Sequence, residues 1–545
     1  MKRILPYIII LFGGSLLFMH SLGASPLFDW DEINFAESAR EMLVSGDYLR
    51  VQINFQPFWE KPPLFFWMQV VSMKVFGINE YAARFPNAVC GVVTLLVIYS
   101  IGKRLHDAKF AAWWVVLYVS SFLPHIYFKS GIIDPWFNLF IFLGIYFLAV
   151  FLQSDPTSKR KVNLVLSGLF TGLAILTKGP VGLLIVVLTY IVFILLNKGK
   201  GWVAIKYYLI WVLTVLLVAM VWFGLEIWQH GWWFVNEFFT YQVRLAKTED
   251  AGHGGFPLYH FVVILLGCFP ASILFLDFTK KNQTGSGDIV FKKMMIASLL
   301  VILIVFSLVK TKIIHYSSFA YFPVVYLAAS VSYNLITGKA VISRFQKIVG
   351  LLVGSIWVIL FVSFPIIAMN LNWLKPLLKA DPFGLANLNA VVEWNYIYIV
   401  PGLLFFGGFI FSAICFYKSD YTKGLISVCL ASTLMVQHFL TIFTPKIEQY
   451  TQHAAIEFFQ RLKGKDVYVK ALGYKSYAPF FYAEVLPAKR KEAADENWLI
   501  NGEVDKPVYL VTRLDRKNEV LLKYGKNLKI LYEKNGFVFM ERKNY

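Results

Sequence analysis

Apolar stretches of about twenty residues recur along this chain, each long enough to cross the roughly 30 Å hydrocarbon core of a bilayer as an α-helix. In hydrocarbon every backbone polar group must be satisfied inside its own segment, so repeated runs of this length admit little besides a bundle of membrane helices. Composition agrees. Hydrophobic residues make up 58% and charged residues 16%, against roughly 45–50% and about 25% in soluble proteins. The 545 residues are read as a polytopic α-helical membrane protein rather than a string of soluble domains.

Thirteen spans are expected, near 4–24, 82–101, 110–128, 132–152, 162–177, 179–196, 203–225, 257–276, 289–309, 314–335, 346–369, 396–416 and 424–443. The first follows Met1-Lys2-Arg3 and has small residues after it (Gly23, Ala24, Ser25), so it also fits a signal peptide. Its length and the spans downstream favour an uncleaved first helix. Cys90, Cys268, Cys415 and Cys429 all lie within apolar runs and make no disulfide framework.

The connections alternate in charge. The N-terminus and every second loop, with adjoining span ends, hold 20 Lys and Arg against five Asp, an excess that supplies most of the net +19. By the positive-inside rule these segments are cytoplasmic. The basic charge is topology, and no nucleic-acid partner is expected.

The C-terminus then lies on the outer face, with the long connections 25–81, 226–256 and 370–395. The first of these carries eight acidic residues and only four Lys or Arg. Residues 1–445 are expected to form the membrane domain and 446–545 a small extramembrane α/β domain. In the latter, a helical pattern from Ile447 to Leu462 precedes strand-like runs near 467–469, 508–511, 528–532 and 537–540, with a charged helix near 515–524.

Ionisable residues gather at span ends rather than mid-span, as with Arg84, His125, Asp134, Lys178, His260 and His315. That pattern favours interfacial chemistry over ion-coupled transport, which usually holds charge at the midplane. Asp31 precedes Ile33–Ser45, an amphipathic stretch expected to lie as a helix in the interface. It is either a helix cap or a chemical group. Lys61, in Glu60-Lys61-Pro62-Pro63, is held beside two prolines and fits either a lipid phosphate or bulk headgroups. Asp134, directly before Pro135, has the same two readings as Asp31. Glu60 and His253 are types that share a divalent metal. Lys312 and Tyr316 are either phosphate or sugar contacts, or headgroup anchors. No Gly-rich phosphate loop points to a nucleotide cofactor.

Asp31-Glu32, Ala36-Glu37, Ala39 to Leu43, Gly46-Asp47 and Glu60 to Leu64, in this order and spacing, resemble the aminoarabinose transferases of bacterial lipid A. These are ArnT-like members of the protein O-mannosyltransferase superfamily, with a GT-C fold. Asp134-Pro135 and Lys312 to Tyr316 match more loosely, and the Gly-rich surroundings of His253 depart from the family pattern.

The resemblance implies a glycosyltransferase that moves a sugar, 4-amino-4-deoxy-L-arabinose or another pentose or hexose, from a polyprenyl phosphate to lipid A or another envelope acceptor. The reaction would take place at the outer face of the bacterial inner membrane. It implies Asp31 and Asp134 as catalytic carboxylates, and Lys61, Glu32, Arg84, Lys312 and Tyr316 as substrate-binding residues. Glu60 and His253 would be the metal pair. Two other readings stand beside it: a protein O-mannosyltransferase on the same scaffold, and, from another class, a lipid-linked sugar transporter. A transporter requires a polar path through the spans, which the sequence does not present.

Overall fold

The computed structural model describes residues 3–29, 31–154, 158–247, 254–277 and 289–543. Leu5–Met19 (α1) leads to Asp31–Ser45 (α2), a two-strand hairpin of Gln52–Ile53 (β1) and Gln56–Pro57 (β2), and Leu64–Phe76 (α3). Glu80–Leu105 (α4), Ala108–Ser120 (α5), Phe122–Tyr127 (α6), Asp134–Gln153 (α7), Ser158–Lys178 (α8) and Val181–Leu196 (α9) follow. Then come Ile205–His230 (α10), Trp233–Lys247 (α11), Tyr259–Gly267 (α12), Ala271–Phe275 (α13) and Ile289–Leu308 (α14). A 3-10 turn, Ile314–Ala320, opens into Tyr321–Ile336 (α15), and Arg344–Met369 (α16) and the short Pro382–Asn387 (α17) lie beyond. Val400–Tyr417 (α18) and Tyr421–His438 (α19) complete the bundle.

Among the described residues nine helical stretches are long and apolar enough to cross a bilayer, and α1, α3, α5 and α9 are shorter apolar helices. Three expectations change. The stretch 110–128 is divided at Ser121 into α5 and α6. The stretch 257–276 is broken into α12 and α13, because Pro270 has no N–H to continue the helix. The connection 25–81 contains α3, thirteen mostly apolar residues packed on α2 and α4.

A further correction concerns α2. Every side chain from Glu32 to Met42 is buried, so this is no interfacial helix with a wet face. It packs against α3 on one side and against Ala478–Tyr482 of the C-terminal region on the other. Its charges pair internally instead. Arg40 donates to both oxygens of Glu37 at 2.7 Å and to the carbonyl of Val485 at 2.8 Å. Glu41 accepts N–H bonds from Asn54 and Phe55, the two positive-φ residues at the hairpin turn. Burial, then the neighbouring Glu37 carboxylate, push the Glu41 carboxyl up to about 9.

The last membrane helix does not stop at the expected boundary. A π-helical turn at Phe439–Phe443 carries it into Thr444–Thr451 (α20), and His453–Leu462 (α21) begins the C-terminal unit. There Tyr468–Leu472 (β3), Ala478–Tyr482 (α22), Glu496–Asn501 (α23), Val508–Arg513 (β4), Lys517–Tyr524 (α24), Leu528–Lys534 (β5) and Phe537–Arg542 (β6) follow. The sheet order is β3-β4-β6-β5, with β3 and β4 parallel and the other pairs antiparallel. Side chains alternate across it. Phe537 and Phe539 join the large core shared with the membrane helices, whereas Val538 and Met540 pack into a smaller core with Leu499, Ile500 and Val520. The unit is thereby bonded to the site-bearing loop. Tyr482 Oη accepts from Leu27 N at 2.7 Å, and Gln452 accepts from Asp29 N at 3.0 Å.

Candidate active site

Helix ends converge on one spot. Asp31 and Asp134 are the first residues of α2 and α7, and Lys178 is the last residue of α8. Carboxylates at N-termini and an ammonium at a C-terminus complement the helix dipoles. The N-cap of α7 is Ile133, and Asp134 is the first-turn carboxylate that follows it. Lys178 Nζ lies 2.6 Å from Asp134 Oδ1, and Ser318 Oγ donates to the same oxygen at 3.3 Å. Gly179, at φ +88°, lets the chain turn directly after Lys178, and a Cβ there would meet the Phe238 ring at 2.3 Å.

Two cavities meet at this spot. The polar one, about 450 Å³, is lined by Asp31, Glu60, Tyr127, Lys129 and Tyr241 among others. The other, about 600 Å³, is mostly apolar, with Phe137, Val181, Leu184, Phe306, Val309 and Phe319 in its wall. Lys61, Asp134, Lys178, His315 and Tyr316 line both and form the rim between them.

Lys61 sits where the prolines Pro62 and Pro63 lead into α3. Among the described residues it makes no ion pair, and its ammonium lies 5.5 Å from the centre of the Tyr241 ring. Burial lowers its pKa, against the opposing pull of Glu60 and Asp31. Tyr241 Oη also donates to Glu60 at 3.1 Å. Asp31 is partly exposed to the polar cavity, and His315 Nε2 stands 3.9 Å from its Oδ2. His315 Nδ1 is 2.7 Å from Tyr127 Oη. Lys129 also reaches this cavity, but its ammonium is held by the carbonyls of Leu17 and His20 and by Gln437. Burial, then Arg84, lower its pKa to about 8.

Of the sequence-derived residues, Asp31, Lys61, Asp134, Tyr316 and Glu60 therefore meet at one place. Glu32 and Arg84 also reach the polar cavity wall, but they are bound to each other. Arg84 Nη2 lies 2.7 Å from Glu32 Oε2, and the guanidinium also donates to the carbonyls of Leu22, Ser25 and Pro26. Burial alone would raise the Glu32 carboxyl, but Arg84 and the N–H groups of Phe28 and Gly131 hold it below its usual range. This is a clamp on the start of α2, and both residues keep a place in the wall of the polar cavity. Lys312 departs from its expected place. Its ammonium donates to the carbonyls of Phe306, Ser307 and Val309 at 2.6–2.8 Å, closing the C-terminus of α14.

The metal pair is not assembled by the described residues. Glu60 accepts from Tyr241, His253 lies outside the described residues, and no described group of three or more His, Cys, Asp or Glu is placed to hold an ion. The sequence reading missed Lys178, His315, Tyr127 and Tyr241 as site residues. Lys178-Gly179-Pro180, a lysine at a helix stop, was the readable signal for the first.

Comparison with known proteins bears on this architecture. Residues 60–224 match the family model described as dolichyl-phosphate-mannose-protein mannosyltransferase. An uncharacterised protein of Aquifex aeolicus is 27% identical over 44% of this chain and 46% of its own length. The undecaprenyl phosphate-alpha-4-amino-4-deoxy-L-arabinose arabinosyl transferase of Photorhabdus laumondii is 23% identical over 66% of each chain. The transferase of the same name from Shewanella sediminis is 27% identical over 63% of this chain and 61% of its own. The chain thus spans between about half and two thirds of the length of these relatives. The crystal structure of ArnT from Cupriavidus metallidurans bound to undecaprenyl phosphate superposes with a TM-score of 0.73, at 18% identity, over 98% of this chain and 97% of that one.

The fold is therefore that of a multi-pass, GT-C-like membrane protein with a small C-terminal sheet domain. The chain shares the fold of that ArnT structure over nearly its whole length, and its sequence is similar to the two arabinosyl transferases over about two thirds of it.

Proposed function

We propose that the protein is a glycosyltransferase of the bacterial inner membrane that moves a sugar from a polyprenyl phosphate to lipid A or a related envelope acceptor. The single observation that carries this is the shared rim of the two cavities. An apolar groove suits the prenyl chain, a polar chamber suits the sugar and acceptor, and Lys61 and Lys178 stand where the phosphate joining them would lie. The names of the relatives support a polyprenyl-phosphate donor, and the positive-inside pattern supports a cytoplasmic N-terminus with the site and C-terminal domain at the periplasmic face. In this reading residues 1–445 form the catalytic membrane domain and 446–545 a periplasmic one.

The chemistry follows from charge. The bond from the anomeric carbon to the phosphate oxygen breaks, and its electron pair leaves on the phosphate. Lys61 and Lys178 offset that negative charge in a partly dry site, where fixed charges act most strongly. Asp134 orients Lys178, and Tyr316 adds a hydroxyl at the rim. The acceptor oxygen forms the new bond to the anomeric carbon. If it is a hydroxyl, Asp31 takes its proton, an effect of about 10²–10⁴-fold. If it is a lipid A phosphate, already ionised, Asp31 orients it. No step is routed through a metal.

The test is transfer from a polyprenyl-phosphate sugar to purified lipid A in vesicles, followed by mass spectrometry. Turnover in the unaltered protein that is lost in Asp31→Asn and Lys61→Ala, with folding intact, is expected. Full activity in both variants would overturn the site. The family match over 60–224 favours one alternative acceptor, a Ser/Thr peptide, and the same assay with such a peptide in place of lipid A distinguishes it.

A further inference from the structure

We infer that His315 is a positioning residue for the Asp31 carboxylate, and that Tyr127 sets the tautomer in which it acts. This rests on the transferase reading above and deepens it. Both ring nitrogens face identified partners: Nδ1 lies 2.7 Å from Tyr127 Oη, and Nε2 lies 3.9 Å from Asp31 Oδ2. Tyr127 is buried, and its ring also packs edge-on against His315, with centroids 5.5 Å apart.

Two neutral tautomers are conceivable. If Nδ1 carried the proton it would donate to the phenol oxygen, and the Nε2 lone pair would face an ionised carboxylate. If the phenol donates to Nδ1, the proton sits on Nε2 and points at Asp31. The second arrangement replaces a repulsion with an attraction, so the ionised Asp31 and the Tyr127 hydroxyl select it together. Protonation of the ring keeps the Nε2–H in place. In either state the imidazole presents an N–H toward Asp31, with 3.9 Å between Nε2 and Oδ2.

His315 also lines both cavities, beside Tyr316 on the 3-10 turn. It therefore connects the donor rim to the carboxylate that meets the acceptor. Asp31 has other charged and titratable neighbours in the same cavity. From the segment before α3 come Glu60 and Lys61, and from α7 and α8 come Asp134 and Lys178. Tyr241 belongs to α11, Tyr316 to the 3-10 turn, Lys129 to the α6–α7 connection, and Asp29 and the Glu32–Arg84 clamp to the start of α2 and α4. None of these residues is altered in a His315 variant, so a difference between variants is read against the same set of neighbours.

The experiment is turnover in vesicles for wild type, His315→Ala, His315→Gln and Tyr127→Phe, with thermal unfolding in micelles measured on each as a check on folding. In His315→Ala, kcat should fall about 10–100-fold, the scale of a misplaced catalytic group. His315→Gln, whose amide N–H reaches as far as Nε2, should restore much of the rate, and Tyr127→Phe should fall between. A kcat in His315→Ala equal to that of wild type, or a glutamine variant no better than alanine, would overturn the inference while leaving the transferase reading intact. Absence of turnover in the wild type would overturn the transferase reading, and this inference with it.

Discussion

Replacing Arg84 by methionine leaves a buried carboxylate without its counter-charge. In the intact protein the guanidinium makes two bonds to Glu32, at 3.0 and 2.7 Å, and three to backbone carbonyls, at 2.7–2.9 Å. Both side chains are almost wholly buried, with 4% and 6% of their surface exposed. Removing one partner of such a pair costs about 3–5 kcal/mol. Glu32 keeps the N–H groups of Phe28 and Gly131, which sets the expectation near the lower figure, about 3 kcal/mol. The assay is reversible unfolding in mixed micelles with a double-mutant cycle through Glu32→Gln. The two single losses should exceed the double loss by about 1–3 kcal/mol. A loss below about 1 kcal/mol, or strict additivity, would refute the clamp. A stable Arg84→Met protein with a weakened donor KM would instead return Arg84 to the substrate.

Four further outcomes are expected. Lys61→Ala should abolish donor binding, measured as retention of undecaprenyl phosphate, whereas Lys61→Arg should retain part of it because the charge is kept. Lys312→Met should lower stability by about 1–2 kcal/mol, as expected for a partly buried helix-end cation, with donor KM unchanged in the vesicle assay. Glu41 makes stability fall as pH rises from about 4.5 toward about 9, because the unfolded carboxyl ionises across that window and the folded one does not. Glu41→Gln should flatten that slope in unfolding curves taken at several pH values. Chelation decides the expected metal pair: turnover unchanged by EDTA would remove Glu60 and His253 as ligands. A loss restored by Mg²⁺ or Mn²⁺ would bring Glu60 and His253 back as a metal pair.

The spans were legible because their physics is local: the length of an apolar run sets a membrane helix. The motif residues Asp31, Lys61 and Asp134 were legible for a similar reason, since each stands at a helix start or beside prolines. Lys312 and Arg84 were not, because what a cation binds depends on carbonyls and carboxylates brought in by folding. From sequence alone, a lysine that closes its own helix looks the same as one awaiting a phosphate. Helix α2 misled for a related reason. Its polar residues read as a wet face, but a C-terminal unit more than 400 residues away supplies Val485 and covers it. His315 and Tyr127 are 188 residues apart, and no pattern along one chain links them.

The common rim of the two cavities has a kinetic consequence. In the proposed reaction, Lys61 and Lys178 hold the phosphate both before and after the sugar departs, and the prenyl tail keeps its groove throughout. The discharged carrier is then a competitor of its own charged form at the same cations, and only the polar chamber tells the two apart. Exchange would proceed sideways through the lipid rather than through water, so the pace of the enzyme would follow the ratio of loaded to empty carrier in the surrounding leaflet more closely than the amount of either.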